Sequence, residues 1–286
     1  MRVLHRIGAI CAALVLAGTA SAQTLYFSAI PDEDETALMT RFSKVADYLE
    51  QELGVEVEFV PVKSYPAAVT AFRNDQVQLA WFGGLSGVQA RQLVPGARAI
   101  AQGAEDPTFI TYFIAHKDTG LVPDEAFPMA AEGMSFTFGA KTSTSGRLMP
   151  EFNIRENTGK APEDFFGRVG YSGDHSQTLR LVASGAWQLG ALNYAVYDKA
   201  LAEGAPETES AKVIWQTPPY PDYNWTIRGD VDARFGEGFA DRVQAALVGM
   251  TDPDLLASFP RDAFIPAQNS DFEPIAETAR ALGLME

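Results

Sequence analysis

The stretch KTSTSGRLMPEF, residues 141–152, places four hydroxyl side chains, Thr142, Ser143, Thr144 and Ser145, ahead of a glycine and a helix-like run. Hydroxyls at a helix start can cap the first backbone N–H groups, at about 1 kcal/mol per cap. They can also join those N–H groups and the positive end of the helix dipole in holding an anion. One helix needs one cap, so four hydroxyls exceed the capping need. Two further stretches share the plan of strand, turn and helix start. In WFGGLSG, residues 81–87, glycines such as Gly83 let a ligand approach the backbone closely. In GYSGDHSQTL, residues 170–179, a Ser-Gly-Asp-His turn precedes a helix. Each has a plainer reading: Asp174 or Ser176 as a cap, His175 as a structural histidine, Trp81 and Phe82 as core. Three such helix ends meeting in one cleft could bind a tetrahedral oxyanion without an arginine.

Enzyme signatures are weak. The chain has no G-x-S-x-G elbow, no phosphate-binding G-x-x-x-x-G-K-[ST] loop and no H-E-x-x-H, and three histidines make no metal constellation. A nucleophile at Ser143 or Ser145 would need His175 as its base, which leaves a phosphoester hydrolase as an alternative. The DEDE cluster, residues 32–35, suits the positive end of a helix better than a metal. No catalytic residue, metal or cofactor is expected.

The elements that position these stretches alternate strand and helix. A strand at 24–30 leads to a helix with Leu38, Phe42, Val45, Leu49 and Leu53 on one stripe, stopped by Gly54. Strands follow at 55–62, 77–82 and 97–103, with helices between. A long β-branched and aromatic strand at 108–118 reads as a crossing into a second lobe, and 212–221 reads as the return. AFRNDQVQLAWFGG and LVASGAWQLGALNY share one plan and are expected to be equivalent elements of the two lobes. The pattern predicts an α/β chain with parallel-rich sheets covered on both faces. Lobe 1 is expected to hold 23–112 and 216–286, and lobe 2 to hold 113–215.

The first 22 residues read as a cleavable signal peptide: a basic start at Arg2, His5 and Arg6, an apolar core at 7–18 and an Ala-Ser-Ala cleavage pattern. The apolar run is shorter than a membrane span of roughly 20 residues. The expected mature protein is soluble and periplasmic. It keeps no cysteine, since Cys11 is the only one, which rules out thiolate chemistry. Of 22 basic residues two fall in the signal, leaving 20 against 37 acidic residues. Such a surface repels nucleic acid and anionic lipid, yet local donors can still hold a small anion.

In order and spacing, ADYLEQELGVEVEFVPVKSYPAAVTAFRNDQVQLAWFGGLSG, TFGAKTSTSGRLMPEF and GDHSQTLRLVASGAWQLGALNY resemble the periplasmic substrate-binding proteins of phosphate/phosphite/phosphonate ABC importers. The pattern is most similar to a selenate-type subgroup. The resemblance covers nearly all of the mature chain. It implies a type II periplasmic-binding fold and a monomer that delivers its ligand to an ABC permease and ATPase. It implies ligand contacts at Tyr65, Phe82, Ser143, Thr144, Ser145 and His175, with Asp222 or Tyr223 from the return crossing. Phe82 departs from a common tyrosine and loses a hydroxyl. Ser176 replaces a carboxylate that would hold the amino group of an aminoalkylphosphonate. A receptor that feeds a sensor kinase remains an alternative role. Asp174 and Asp222 are diagnostic of ligand type: a carboxylate in the cleft accepts the proton of a phosphorus oxyanion and repels unprotonated selenate or sulfate.

Overall fold

The computed structural model describes residues 23–257 and 259–285; the expected signal peptide at 1–22 lies outside them. The first stripe forms as expected. Strand β1 (Leu25–Ala29) leads into helix α1 (Glu35–Leu53). Leu38, Phe42, Val45, Leu49 and Leu53 of α1 are buried, and Gly54 ends it at φ 67°. Strand β2 (Val57–Phe59), helix α2 (Tyr65–Arg73), strand β3 (Leu79–Phe82), helix α3 (Gly84–Leu93) and strand β4 (Arg98–Gly103) complete the first run.

The chain then crosses to a second sheet. This part holds β5 (Thr111–His116), β6 (Ser135–Phe138), α4 (Met149–Thr158), α5 (Pro162–Phe165), β7 (Arg168–Tyr171) and α6 (His175–Ala183). It continues with β8 (Leu189–Asn193), α7 (Tyr194–Ala202), α8 (Glu207–Ser210) and β9 (Ala211–Gln216). The return brings β10 (Asn224–Ile227), α9 (Val231–Phe235), α10 (Phe239–Val248), α11 (Pro253–Leu256), β11 (Phe264–Pro266) and α12 (Glu273–Ala281).

The sheets run β11-β4-β10-β3-β1-β2 and β7-β6-β8-β5-β9. The two stretches that rhyme in sequence end in β3 and β8, which hold corresponding places. β3 has β1 parallel on one side and β10 antiparallel on the other; β8 has β6 parallel and β5 antiparallel. The antiparallel partner in each sheet, β10 or β5, is the strand that enters just after a crossing. The fold is therefore the two-lobed type II α/β arrangement, its parallel sheets interrupted by incoming strands.

Each sheet has its own aromatic core. Phe27, Phe42, Trp81 and Trp225 pack in the first lobe, and Phe113, Phe136, Phe138 and Phe165 in the second, all at or below 2% exposure. Each such side chain contributes about 2 kcal/mol of burial. The crossings are bonded to each other. The Tyr220 N–H donates to the Phe109 carbonyl at 2.9 Å and the Thr217 N–H to that of Thr111 at 3.0 Å.

Three details differ from the sequence reading. β10 and β11 are strands of four and three residues in a region expected to be mainly helical. Helices α5 and α8, four residues each, are too short to show a period. The helix expected from Ser145 starts as one wide π turn, Thr144–Leu148, and turns α-helical only at Met149.

Candidate functional site

Pro150 accounts for that π turn. An α-helical carbonyl at Gly146 would accept from the N–H of residue 150, and proline has none. The Gly146 carbonyl instead accepts the Gly139 N–H at 2.8 Å, tying the helix start to the end of β6. The approach is close: a Cβ on Gly146 would stand 3.1 Å from the Gly139 Cα and 3.2 Å from the His175 Cε1. Ser143 does the capping, its Oγ accepting the Gly146 N–H at 2.9 Å. Thr144 and Ser145 are left to other work. Turns of this kind are frequent at functional sites.

Thr144 reaches across the seam between the lobes. Its Oγ1 accepts the Leu85 N–H at 3.0 Å, and its own proton is directed to an acceptor in the seam, Asp222 being the neighbouring one. Asp222, on the return crossing, accepts the neighbouring Gly84 N–H on Oδ1 at 2.8 Å. A Cβ on Gly83 would press on both groups, standing 3.2 Å from Asp222 Oδ1 and 3.3 Å from Thr144 Oγ1. The three helix ends come together at the seam, but their first N–H groups are not all left for a ligand. The first N–H groups of α3 are taken by Asp222 and Thr144. That of α6, on His175, donates to the Asp32 carbonyl at 3.0 Å. Two of the three helix ends thus join the lobes to each other.

His175 is fully buried, and that burial pushes it down to about 4, so the ring is neutral. Its Nδ1 accepts the Asn193 N–H at 3.3 Å, which assigns the ring proton to Nε2. Nε2 faces the Ser145 hydroxyl at 3.5 Å. An imidazole protonated on that nitrogen is a donor and cannot take the serine's proton, and no carboxylate holds Nδ1. This argues against a serine hydrolase.

Asp174 caps α6, its Oδ1 accepting the Gln177 N–H at 2.6 Å. Asp222 is the diagnostic carboxylate that enters the seam. Its Oδ2 is buried with no hydrogen-bond partner among the described residues. Burial, only partly offset by the Gly84 N–H and the Thr144 hydroxyl, pushes it up to about 7. The Tyr65 hydroxyl is likewise buried without a close partner among the described residues, with only the Ser143 side chain as a weak one. Burial first, then the nearby Asp32 carboxylate, raise it well above the usual tyrosine value. Tyr223 stacks on Trp81 at 5.3 Å, and its hydroxyl accepts from Asn193 Nδ2 at 3.1 Å. Phe82 packs edge-on against Phe72 at 5.7 Å in the first core.

Asn193 and Asp32 were missed as site residues. Asn193 ends one of the rhyming stretches, and that placement was its only signal. Asp32 belongs to DEDE, where the helix-dipole reading fits Glu35 in the first turn of α1 but not Asp32 or Glu33. Those two pair with Arg41, at 3.2 and 3.0 Å.

A model of the family described as "ABC transporter, phosphonate, periplasmic substrate-binding protein" matches residues 27–272. The chain belongs to that family. Among curated relatives, it is 37% identical to the probable ABC transporter phosphite binding protein PhnD1 of Prochlorococcus marinus (strain MIT 9301), covering 91% of this chain and 90% of that protein. It is 24% identical to the phosphonates-binding periplasmic protein of Escherichia coli, over 70% of this chain and 59% of that one. Among solved structures, PhnD1 of P. marinus in complex with methylphosphonate matches with a TM-score of 0.87 at 36% identity, covering 91% and 98% of the two chains. A phosphonate-transporter binding protein of Pseudomonas aeruginosa matches in fold, with a TM-score of 0.78 at 19% identity over 89% and 85%. As a member of this family of periplasmic receptors the chain is a substrate-binding protein and not an enzyme.

Proposed function

We propose that this substrate-binding protein captures a compact, protonated phosphorus oxyanion of the phosphite or methylphosphonate type. It acts as an exported monomer that delivers the ligand to an ABC permease and its ATPase. One observation carries the choice of ligand: the buried Oδ2 of Asp222, without a close partner among the described residues, next to the Thr144 hydroxyl at the Gly83 turn. A P–OH group donates to that oxygen. Sulfate and selenate have no proton to give near neutral pH, and wherever Asp222 is ionised they would meet a like charge in a low dielectric. Thr144, Ser145 and the Nε2–H of His175 donate to the remaining oxygens, with Ser143 shaping the turn. Phe82 and Tyr223 serve as walls.

Tyr65, Ser143, Thr144, Ser145, His175, Asp222 and Tyr223 are all at or below 2% exposure, which favours a ligand without a long substituent. The phosphite-binding relative and the methylphosphonate-bound neighbour agree with this chemistry. The lobes are taken as 23–112 with 216–286, and 113–215, turning about the bonded crossings near Thr111 and Thr217. Calorimetry against phosphite, methylphosphonate, phosphate, aminoethylphosphonate, sulfate, selenate and selenite tests the reading. Tight binding of phosphite or methylphosphonate with none of selenate is expected. Preference for selenate or sulfate would refute it.

A further inference from the structure

Resting on that reading of a two-lobed receptor, we infer that the turn at 30–34 is a clasp that holds the lobes shut. Glu33 grips Lys199 across the seam, and the contact sets how long a ligand stays bound. The turn is fixed on the first lobe by one side chain. Arg41 of α1 pairs with Asp32 at 3.2 Å and Glu33 at 3.0 Å, and its guanidinium lies 4.6 Å from the centre of the Phe42 ring. The turn then touches the second lobe twice. The Asp32 carbonyl accepts the His175 N–H, and Glu33 Oε2 stands 3.6 Å from Lys199 Nζ on α7.

The surrounding space supports the assignment. Outside the contact is an open cavity of about 610 Å³ that Glu33, Arg41, Lys44 and Lys199 help to line. Inside it the seam narrows to about 10 Å³, lined in part by Asp32, Glu33, Arg41, Asn193 and Tyr223. That is room for a single water at most. Glu33 and Arg41 border both spaces and Lys199 lines the outer one, so parting the lobes along this seam separates Glu33 from Lys199. The pair exists only when the lobes are together. It is absent from the first encounter with ligand and lost on opening, so it acts on dissociation and not on association. The outer cavity gives solvent and salt access to the Lys199 ammonium, which makes the contact weak and screened.

Lys199→Glu tests this, because it replaces attraction with repulsion at a partly exposed position. Stopped-flow fluorescence with methylphosphonate and with phosphite should show dissociation faster by about threefold to tenfold. Association should stay within about twofold at fixed salt, and the difference in dissociation should shrink as salt rises. Spin labels on Asp47→Cys and Glu156→Cys, exposed positions on α1 and α4, read the distance between lobes without ligand. Lys199→Glu should enlarge the open share. Equal dissociation rates and equal distance distributions in the two proteins would overturn the clasp. So would a defect confined to association, which would make Lys199 a steering charge. Failure of the unaltered receptor to bind either ligand would count against the functional reading alone, leaving the label distances to decide the clasp.

Discussion

Leu85 and Thr144 lie on opposite lobes, and the N–H of one donates to the hydroxyl oxygen of the other at 3.0 Å. A hydroxyl that accepts on one lone pair keeps a single proton to give, and the bond fixes where that proton points. The side chain assigned to the ligand is therefore oriented by the lobe it closes against.

Thr144→Val keeps the shape and removes both bonds. Affinity for methylphosphonate should fall by about tenfold to a hundredfold, since a bond to an anion contributes about 1.5–3 kcal/mol. The unliganded melting temperature should move by only a few degrees. Calorimetry and a thermal melt on the same preparation check both; unchanged affinity would remove Thr144 from the site.

Asp222 makes a prediction about pH. Its folded pKa of about 7 lies above the ordinary aspartate value, so the fold favours the protonated form. Its contribution to unliganded stability is present at acid pH and is lost as pH rises from about 4 to about 7. Asp222→Asn should remove that slope from a plot of melting temperature against pH. The amide keeps an acceptor for the Gly84 N–H but no longer takes a ligand's proton. Binding of phosphite should weaken relative to sulfate, and an unaltered phosphite-to-sulfate ratio would count against the role.

Tyr65→Phe separates stability from binding. Its hydroxyl is buried with at most a weak bond to Ser143, and an unmet buried hydroxyl costs up to about 1–3 kcal/mol. The phenylalanine variant should melt no lower than the parent, or a few degrees higher, while losing about tenfold in affinity. A drop in both would show that the hydroxyl has a structural partner instead.

Arg261 and Asp106 form a buried pair at 2.6 Å, and the Asp106 carbonyl also accepts the Asp222 N–H at 3.0 Å. Arg261→Met strands a buried carboxylate and should cost about 3–5 kcal/mol. Adding Asp106→Asn should recover part of the loss. A double-mutant cycle from chemical denaturation measures the coupling.

Much of this molecule was legible in its sequence. The stripe of α1 and its stop at Gly54 follow from local spacing, and the hydroxyl run at 142–145 marks a surplus over capping without showing the π turn it forms. The rhyming stretches reveal which strands occupy matching places. What was hidden depends on distant partners. Gly84 meets Asp222 across 138 positions, and Leu85 meets Thr144 across 59. No local pattern shows that α3 spends its N–H groups this way. β10 is four residues of buried Asn-Trp-Thr-Ile with no alternation, so only its neighbours β3 and β4 make it a strand. Asp32 and Glu33 looked like helix-start acids because they stand just ahead of α1, while their pairing with Arg41 and with Lys199 is visible only in three dimensions.

The bonds between the two crossings, at Phe109 with Tyr220 and Thr111 with Thr217, have a mechanical consequence. Two unconnected strands would let one lobe twist, slide and tilt against the other. Strands bonded rung to rung behave as a door's pin and leave mainly one axis of rotation. Each strand then leads into an interior strand of a sheet, β5 or β10, so a small turn at the pin swings a whole lobe. The loss of freedom on shutting is correspondingly small, because most of the other motions were already surrendered when the chain folded.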